Sequence, residues 1–463
     1  MTAAQLDPDG AASRLAAEGN FALGLGDTAL AAEKYGRAGR LLLADSRRPQ
    51  KAAERHLMRF VAATQFYLGG HYGEALKHAK RVDASFLPNF AKPLLVTFLK
   101  DAGRRASPSY GRQMLEAVKA LWAQRKYEAL LDRLKDHPFV YAPGPLAFLR
   151  AVLCEHLGHW RAASEFFAQA VGSIPQASPF AIMAASYAVR LQLAGRLPEA
   201  WRYVRELLKA LPGAYTLIAA SVISFWRAAA VTGDERRERF QIQVEYFERA
   251  WAAYRELTRA ERDDPDARLF MSLGFDAALI ALVQLGEFER AVAVAGDAIA
   301  FKPDSPLPLT TRGFLTYPSP AAVNDFRTAT TLPGADYVAP YHLAHHAFHS
   351  GNLVEAEQLC RVALARNPRH QMRAQLTAWL AAFRDSAGAP KAEVEALFRQ
   401  AFEIDPDSEQ VANLYDAFEA GQTASALAKW DTRDEPVDEW SFQSERSAGW
   451  ANSLRDRLPA GVL

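Results

Sequence analysis

Four of the 11 histidines fall within one stretch, Tyr341-His342-Leu343-Ala344-His345-His346-Ala347-Phe348-His349. On a helix, His342, His345 and His349 stand at i, i+3 and i+7, so three imidazoles project from one face. Histidines about one turn apart suit three kinds of chemistry: holding zinc or another divalent ion, sensing pH, or contacting a ligand. The same spacing equally makes a plain polar face bonded to water and neighbours. No Cys, Asp or Glu lies inside the stretch to complete a tetrahedral metal site. No metal and no cofactor are therefore expected.

Other catalytic chemistry finds little to build on. The chain lacks Gly-x-x-x-x-Gly-Lys-Ser/Thr, Gly-x-Ser-x-Gly and His-Glu-x-x-His, and no strand pattern precedes a glycine-rich phosphate loop. Cys154 and Cys360 occupy helix positions that elsewhere hold Ala22, Phe66 or Phe167, which reads as small buried packing residues. The chain is read as non-enzymatic, with a metal or enzymatic protein centred on the histidines as the remaining alternative.

Composition bounds the partners. The 463 residues are 50% hydrophobic and 11% aromatic, ample for a packed interior, and a net charge of +1 excludes global electrostatic capture of nucleic acid or an anionic membrane. Charge is nonetheless uneven. Residues 1–150 hold 23 Lys and Arg against 14 Asp and Glu, while 401–463 hold 5 against 13. The basic excess lacks interleaved aromatics, which argues against nucleic acid. Complementary ends also allow self-association. Two cysteines cannot build a disulfide framework, the start carries no secretory pattern, and no run approaches 18 apolar residues; the nearest, 214–230, contains Ser221, Ser224 and Arg227. A cytoplasmic protein without membrane insertion is expected.

The elements that position these residues are repeated. Gly158, Trp160, Ala163, Phe167, Ala170 and Pro175 recur in spacing as Gly195, Leu197, Ala200, Val204, Leu207 and Pro212. Further copies run Gly286, Phe288, Ala291, Ala295, Ala298, Pro303 and Gly351, Leu353, Ala356, Cys360, Ala363, Pro368; an early copy uses Gly26, Ala31, Tyr35 and Ala38. The glycine ends a first helix in a left-handed cap, and the alanine five later lets a second helix approach closely. The residues four and seven beyond that alanine share its face, and the proline stops the helix.

On these residues the chain resembles the tetratricopeptide repeat family over residues 12–407. The resemblance implies an all-α fold, a right-handed α-α superhelix of about ten stacked helical hairpins whose concave face binds a partner. Some units depart from the pattern. Gln124-Arg125-Lys126 replaces a turn glycine, and the two prolines of Tyr317-Pro318-Ser319-Pro320 are expected to disrupt their turn. Two longer helices, 218–230 and 235–259, fit no repeat length. The expected divisions are an N-terminal array at 1–213, an irregular candidate hinge pair at 214–263, a C-terminal array at 264–408, and a capping helix with an acidic aromatic tail at 409–463. That tail, with Trp430, Trp440, Phe442 and Trp450, either folds back to compete with a partner or caps the last helix.

Mapped onto the first helices, the groove is assigned Asn20, Phe60, Thr64, Tyr67, Phe148, Val152, Glu155, Ala185, Val189, Gln192, Tyr341, His342, His345, Phe348 and His349. The family's carboxylate clamp for C-terminal tails is matched only at Asn20; Ala16 and Val61 stand where its other members belong. A surface this apolar favours an extended or helical peptide with apolar anchors. The expected function is a non-catalytic scaffold or adaptor that binds a peptide segment of another protein. A peptide- or ligand-sensing regulator is the alternative.

Overall fold

A computed structural model describes residues 10–25, 27–46, 51–141, 143–171, 179–366, 368 and 370–429. All regular structure among the described residues is helical. The fold is all-α, as the repeat pattern implies. Gly26, Pro175 and the tail from Trp430 onward lie outside the described residues.

Most hairpins turn through the same joint. The amide of Gly158 donates to the Glu155 carbonyl at 3.0 Å, and the amide of His159 reaches back to that of Cys154 at 2.8 Å. This pair of bonds closes a Schellman turn with Gly158 left-handed at φ 73°. The reach-back bond recurs at 2.9 Å from Arg196 to Leu191, Glu287 to Leu282, Asn352 to Ala347 and Ala389 to Arg384. It also forms from Lys126 to Leu121, where Arg125 replaces glycine and takes φ 54° itself. The joint is therefore kept even where its usual residue is missing.

Beyond each joint the small residues sit where two helices meet. Ala163, Ala200, Ala291 and Ala356 are fully buried, and so are Phe167, Val204, Ala295 and Cys360 four residues later. The described residues form two compact units. One takes residues up to Tyr187 with Arg205–Pro212, and the other takes Ala188–Val204 with the residues from Gly213 on.

In the first unit the helix Ala91–Arg105 stands between two hairpins, Ala52–Leu68 with Tyr72–Ala79 and Tyr110–Ala123 with Tyr127–Asp136. Its last residue ties them. The Arg105 guanidinium lies 5.1, 5.6 and 6.0 Å from the rings of Tyr67, Tyr72 and Tyr110, and pairs with Asp101 at 2.8 Å. Such stacking adds cation–π attraction to an ion pair already shielded from water.

From Gly213 on, the second unit starts with the irregular pair, Ala214–Ala229 and Gly233–Arg255, joined across its interior where Gln243 Nε2 donates to Ser221 Oγ at 2.8 Å. A capping box between Thr258 and Glu261 starts the short turn Arg259–Arg262, and the next helix runs Pro265–Leu285. Among the described residues this helix, not the 214–230 stretch, is long and apolar enough to cross a membrane; it is mostly buried inside the protein. Phe288–Phe301 pairs back on it, and four hairpins follow: Pro306–Thr316 with Pro320–Thr331, Val338–His349 with Leu353–Ala365, His370–Ser386 with Lys391–Ile404, and Glu409–Glu419 with Thr423–Ala428.

The turn with two prolines is reshaped rather than disrupted. The Tyr317–Pro318 bond is cis, Ser319 Oγ accepts from the Ala322 amide at 3.1 Å, and Pro320 takes the first helical position. Proline suits that position because its missing N–H would have no helical partner there. Gly313 then faces Phe326, whose ring a Cβ would approach to 2.9 Å. Close helix approach survives.

Candidate functional site

The residues assigned to the groove fall into two groups. Phe60, Phe148, Val152, Glu155, Ala185, Val189, Tyr341, His342 and His345 are buried. Asn20, Thr64, Tyr67, Gln192, Phe348 and His349 keep partial or full exposure. First-helix faces that sequence assigns to an open wall are thus largely spent on packing. Phe148, for instance, meets Phe167 edge-on at 5.6 Å and Phe180 at 4.9 Å. Tyr67 donates its hydroxyl to Asp101, and burial followed by that carboxylate holds its pKa above the usual tyrosine value. Asn20 Oδ1 accepts from the Tyr35 hydroxyl at 2.5 Å, which fixes it against its own hairpin.

The three aligned histidines do not converge on one point. His345 and His349 bring their Nε2 atoms to 3.0 Å, one ring donating to the other. His345 also faces Trp379, with ring centroids 6.0 Å apart. His342 turns elsewhere and stacks on Phe326 at 5.0 Å with 15° between planes. Burial lowers its pKa to about 3, with His345 adding to the effect, so the imidazole is neutral. Among the described residues no group of three His, Cys, Asp or Glu is arranged to hold a metal ion. Cys154 and Cys360 are both buried, and burial pushes the Cys360 thiol up to about 12. Its Sγ donates to the Leu376 carbonyl at 3.2 Å.

What the second unit does offer is a cleft of about 350 Å³. First helices of successive hairpins supply its walls: Phe314 from Pro306–Thr316, Tyr341 and His342 from Val338–His349, Met372 and Gln375 from His370–Ser386, and Gln410 from Glu409–Glu419. Stacking brings the four together because every hairpin presents the same face in the same order. The floor is aromatic and apolar, and the rim is acidic, with Asp405, Asp407 and Glu409. These acids come from the segment after Lys391–Ile404 and the start of the next helix.

Of the assigned residues, Tyr341 and His342 line this cleft. The rim acids and the glutamines Gln375 and Gln410 went unassigned in the sequence. One signal was available: Asp405-Pro406-Asp407-Ser408-Glu409 is the proline-ended close of a repeat, where the chain must leave the helix and expose polar groups.

No family model matches the chain, and no curated protein matches it. Solved structures similar to it include the APC/C hetero-tetramer Cut9-Hcn1, at 14% identity over 89% of this chain and 91% of that one, with a TM-score of 0.33. The human IFIT1 dimer with m7Gppp-AAAA matches at 14% identity over 90% and 92%, with a TM-score of 0.34. Yeast Tom70 matches at 12% identity over 97% and 96%, with a TM-score of 0.31. The resemblance of this chain to tetratricopeptide repeats stands on its own hairpins: the recurrent turn, the buried alanines and their spacing.

Proposed function

We propose that the chain is a non-catalytic interaction scaffold that binds a peptide segment of a partner protein along the first helices of its second unit. The observation that carries this reading is the cleft itself, whose walls come from four successive hairpins and include Tyr341 and His342. An elongated ligand meets such a surface one hairpin at a time, with side chains seated between helices and polar groups setting register. Buried, protonated thiols at Cys154 and Cys360 accord with a cytoplasmic adaptor.

Selection of random 12-residue peptides on the full chain tests the reading. Enriched peptides should bind, and Gln371→Trp should abolish binding without changing the melting temperature, because Gln371 is exposed at the cleft. Failure to enrich any sequence, or binding indifferent to the blocked cleft, would refute the proposal.

A further inference from the structure

We infer that the cleft of the second unit takes a positively charged side chain of a peptide, its stem on the aromatic floor and its cation at the acidic rim. The inference rests on the scaffold reading and names the chemistry of the partner.

Charge comes first. Asp405, Asp407 and Glu409 all line the cleft, and among the described residues none of them forms an ion pair. No Lys or Arg lines the cleft either. Three carboxylates around one concave space attract a cation and reject an anion.

Unused hydrogen-bonding groups point the same way. His342 is only 4% exposed, lines the cleft, and has no hydrogen-bond partner among the described residues. Gln375 Oε1 and Gln410 Oε1 are buried acceptors without a partner. An apolar occupant would leave these groups unsatisfied, each losing its hydration without a replacement bond. An arginine or lysine brings only donors, five on a guanidinium or three on an ammonium. Its methylene stem suits the apolar floor, and its cation suits the three rim carboxylates. A cleft of about 350 Å³ admits one long side chain with its flanking backbone rather than a folded surface.

Titration calorimetry on the full chain decides it. The probes are a labelled nine-residue Gly-Ser peptide with a central arginine, the same peptide with neutral citrulline, and free spermidine. The arginine peptide should bind at least tenfold more tightly than the citrulline peptide, and that preference should shrink between 50 and 500 mM NaCl. It should vanish in Asp405→Asn/Asp407→Asn/Glu409→Gln. Should that triple variant melt below the wild type, Asp407→Asn/Glu409→Gln serves instead, since both residues are exposed, with at least a threefold loss of preference expected. Equal binding of the arginine and citrulline peptides, or a preference untouched by the variants, overturns the inference. Spermidine binding a hundredfold more tightly than the arginine peptide assigns the cleft to a free amine and overturns it as well. The two readings fail separately. Selected 12-residue peptides that bind in the cleft with no basic preference refute only the cation, whereas no peptide binding at all refutes the scaffold.

Discussion

The Arg312 guanidinium lies fork to fork on the Asp325 carboxylate, Nε to Oδ2 at 2.7 Å and Nη2 to Oδ1 at 2.8 Å. The pair joins the two helices of the hairpin whose turn holds Pro318 and Pro320, and so holds that hairpin closed where the glycine joint is absent. Only 10% of the Asp325 side chain is exposed, against 33% of Arg312. Bonding to Asp325 raises the Arg312 pKa, so the guanidinium keeps its charge.

Removing the cation should therefore cost more than an ordinary surface pair. Arg312→Ala leaves a nearly buried carboxylate alone, and a loss of about 2 kcal/mol is expected, below the fully buried limit because Arg312 is partly solvated. Arg312→Lys keeps the charge but loses the second bond, so about half that loss should remain. Urea denaturation of both variants, of Asp325→Ala and of Arg312→Ala/Asp325→Ala gives the coupling. Additive single effects would show that the bidentate contact contributes nothing.

The helical glycines Gly313 and Gly296 differ in what surrounds them. A Cβ on Gly313 would sit 2.9 Å from the buried Phe326 ring, whereas one on Gly296 would meet nothing within 4 Å. Both lie inside helices, Pro306–Thr316 and Phe288–Phe301. Gly313→Ala should destabilise by about 1–3 kcal/mol through overpacking. Gly296→Ala should stabilise by about 0.5–1 kcal/mol by narrowing the unfolded ensemble. Thermal melts that shift in the same direction for both would refute the distinction.

Arg125 is the one described non-glycine residue with a positive φ, and its turn carries the same reach-back bond as the glycine joints. A left-handed residue with a Cβ costs about 1–2 kcal/mol. Arg125→Gly should accordingly raise stability by up to about 1 kcal/mol, the rest being lost to greater freedom of the unfolded chain. A lower denaturation midpoint would mean that the Arg125 side chain contributes more than its backbone costs.

Why the joints were legible and the cleft was not follows from the range of the interactions involved. Gly158, Ala163 and Phe167 act within one hairpin, so spacing alone specifies them. Whether Phe148 or Val189 faces solvent depends on the neighbouring helices, and residue type does not report that. Helical periodicity places His342, His345 and His349 on one face, yet ring rotation sends His342 to Phe326 and His345 to Trp379. The rim is less legible still. Asp405 and Glu409 reach Tyr341 only through stacking of successive hairpins, across more than 60 residues of sequence.

His342 makes the second unit acid-sensitive in a calculable direction. Folded, its pKa is about 3, because burial penalises the cation and His345 beside it adds to that effect. Unfolded, it takes a proton below about 6.5. Between those values the unfolded chain binds the extra proton, so the contribution is complete above about pH 6.5 and falls as pH drops toward about 3. At about 1.4 kcal/mol for each pH unit, the loss passes about 3 kcal/mol by about pH 4. The facing acids Asp405, Asp407 and Glu409 line the same cleft. Comparison with His342→Phe, which keeps a ring against Phe326, separates their effect. The variant should lose less stability than the wild type between pH 6.5 and 4 in denaturant titrations. Parallel stability curves for the two proteins over that range would mean that His342 is protonated in the folded state and that its stacking on Phe326 does not exclude the charge.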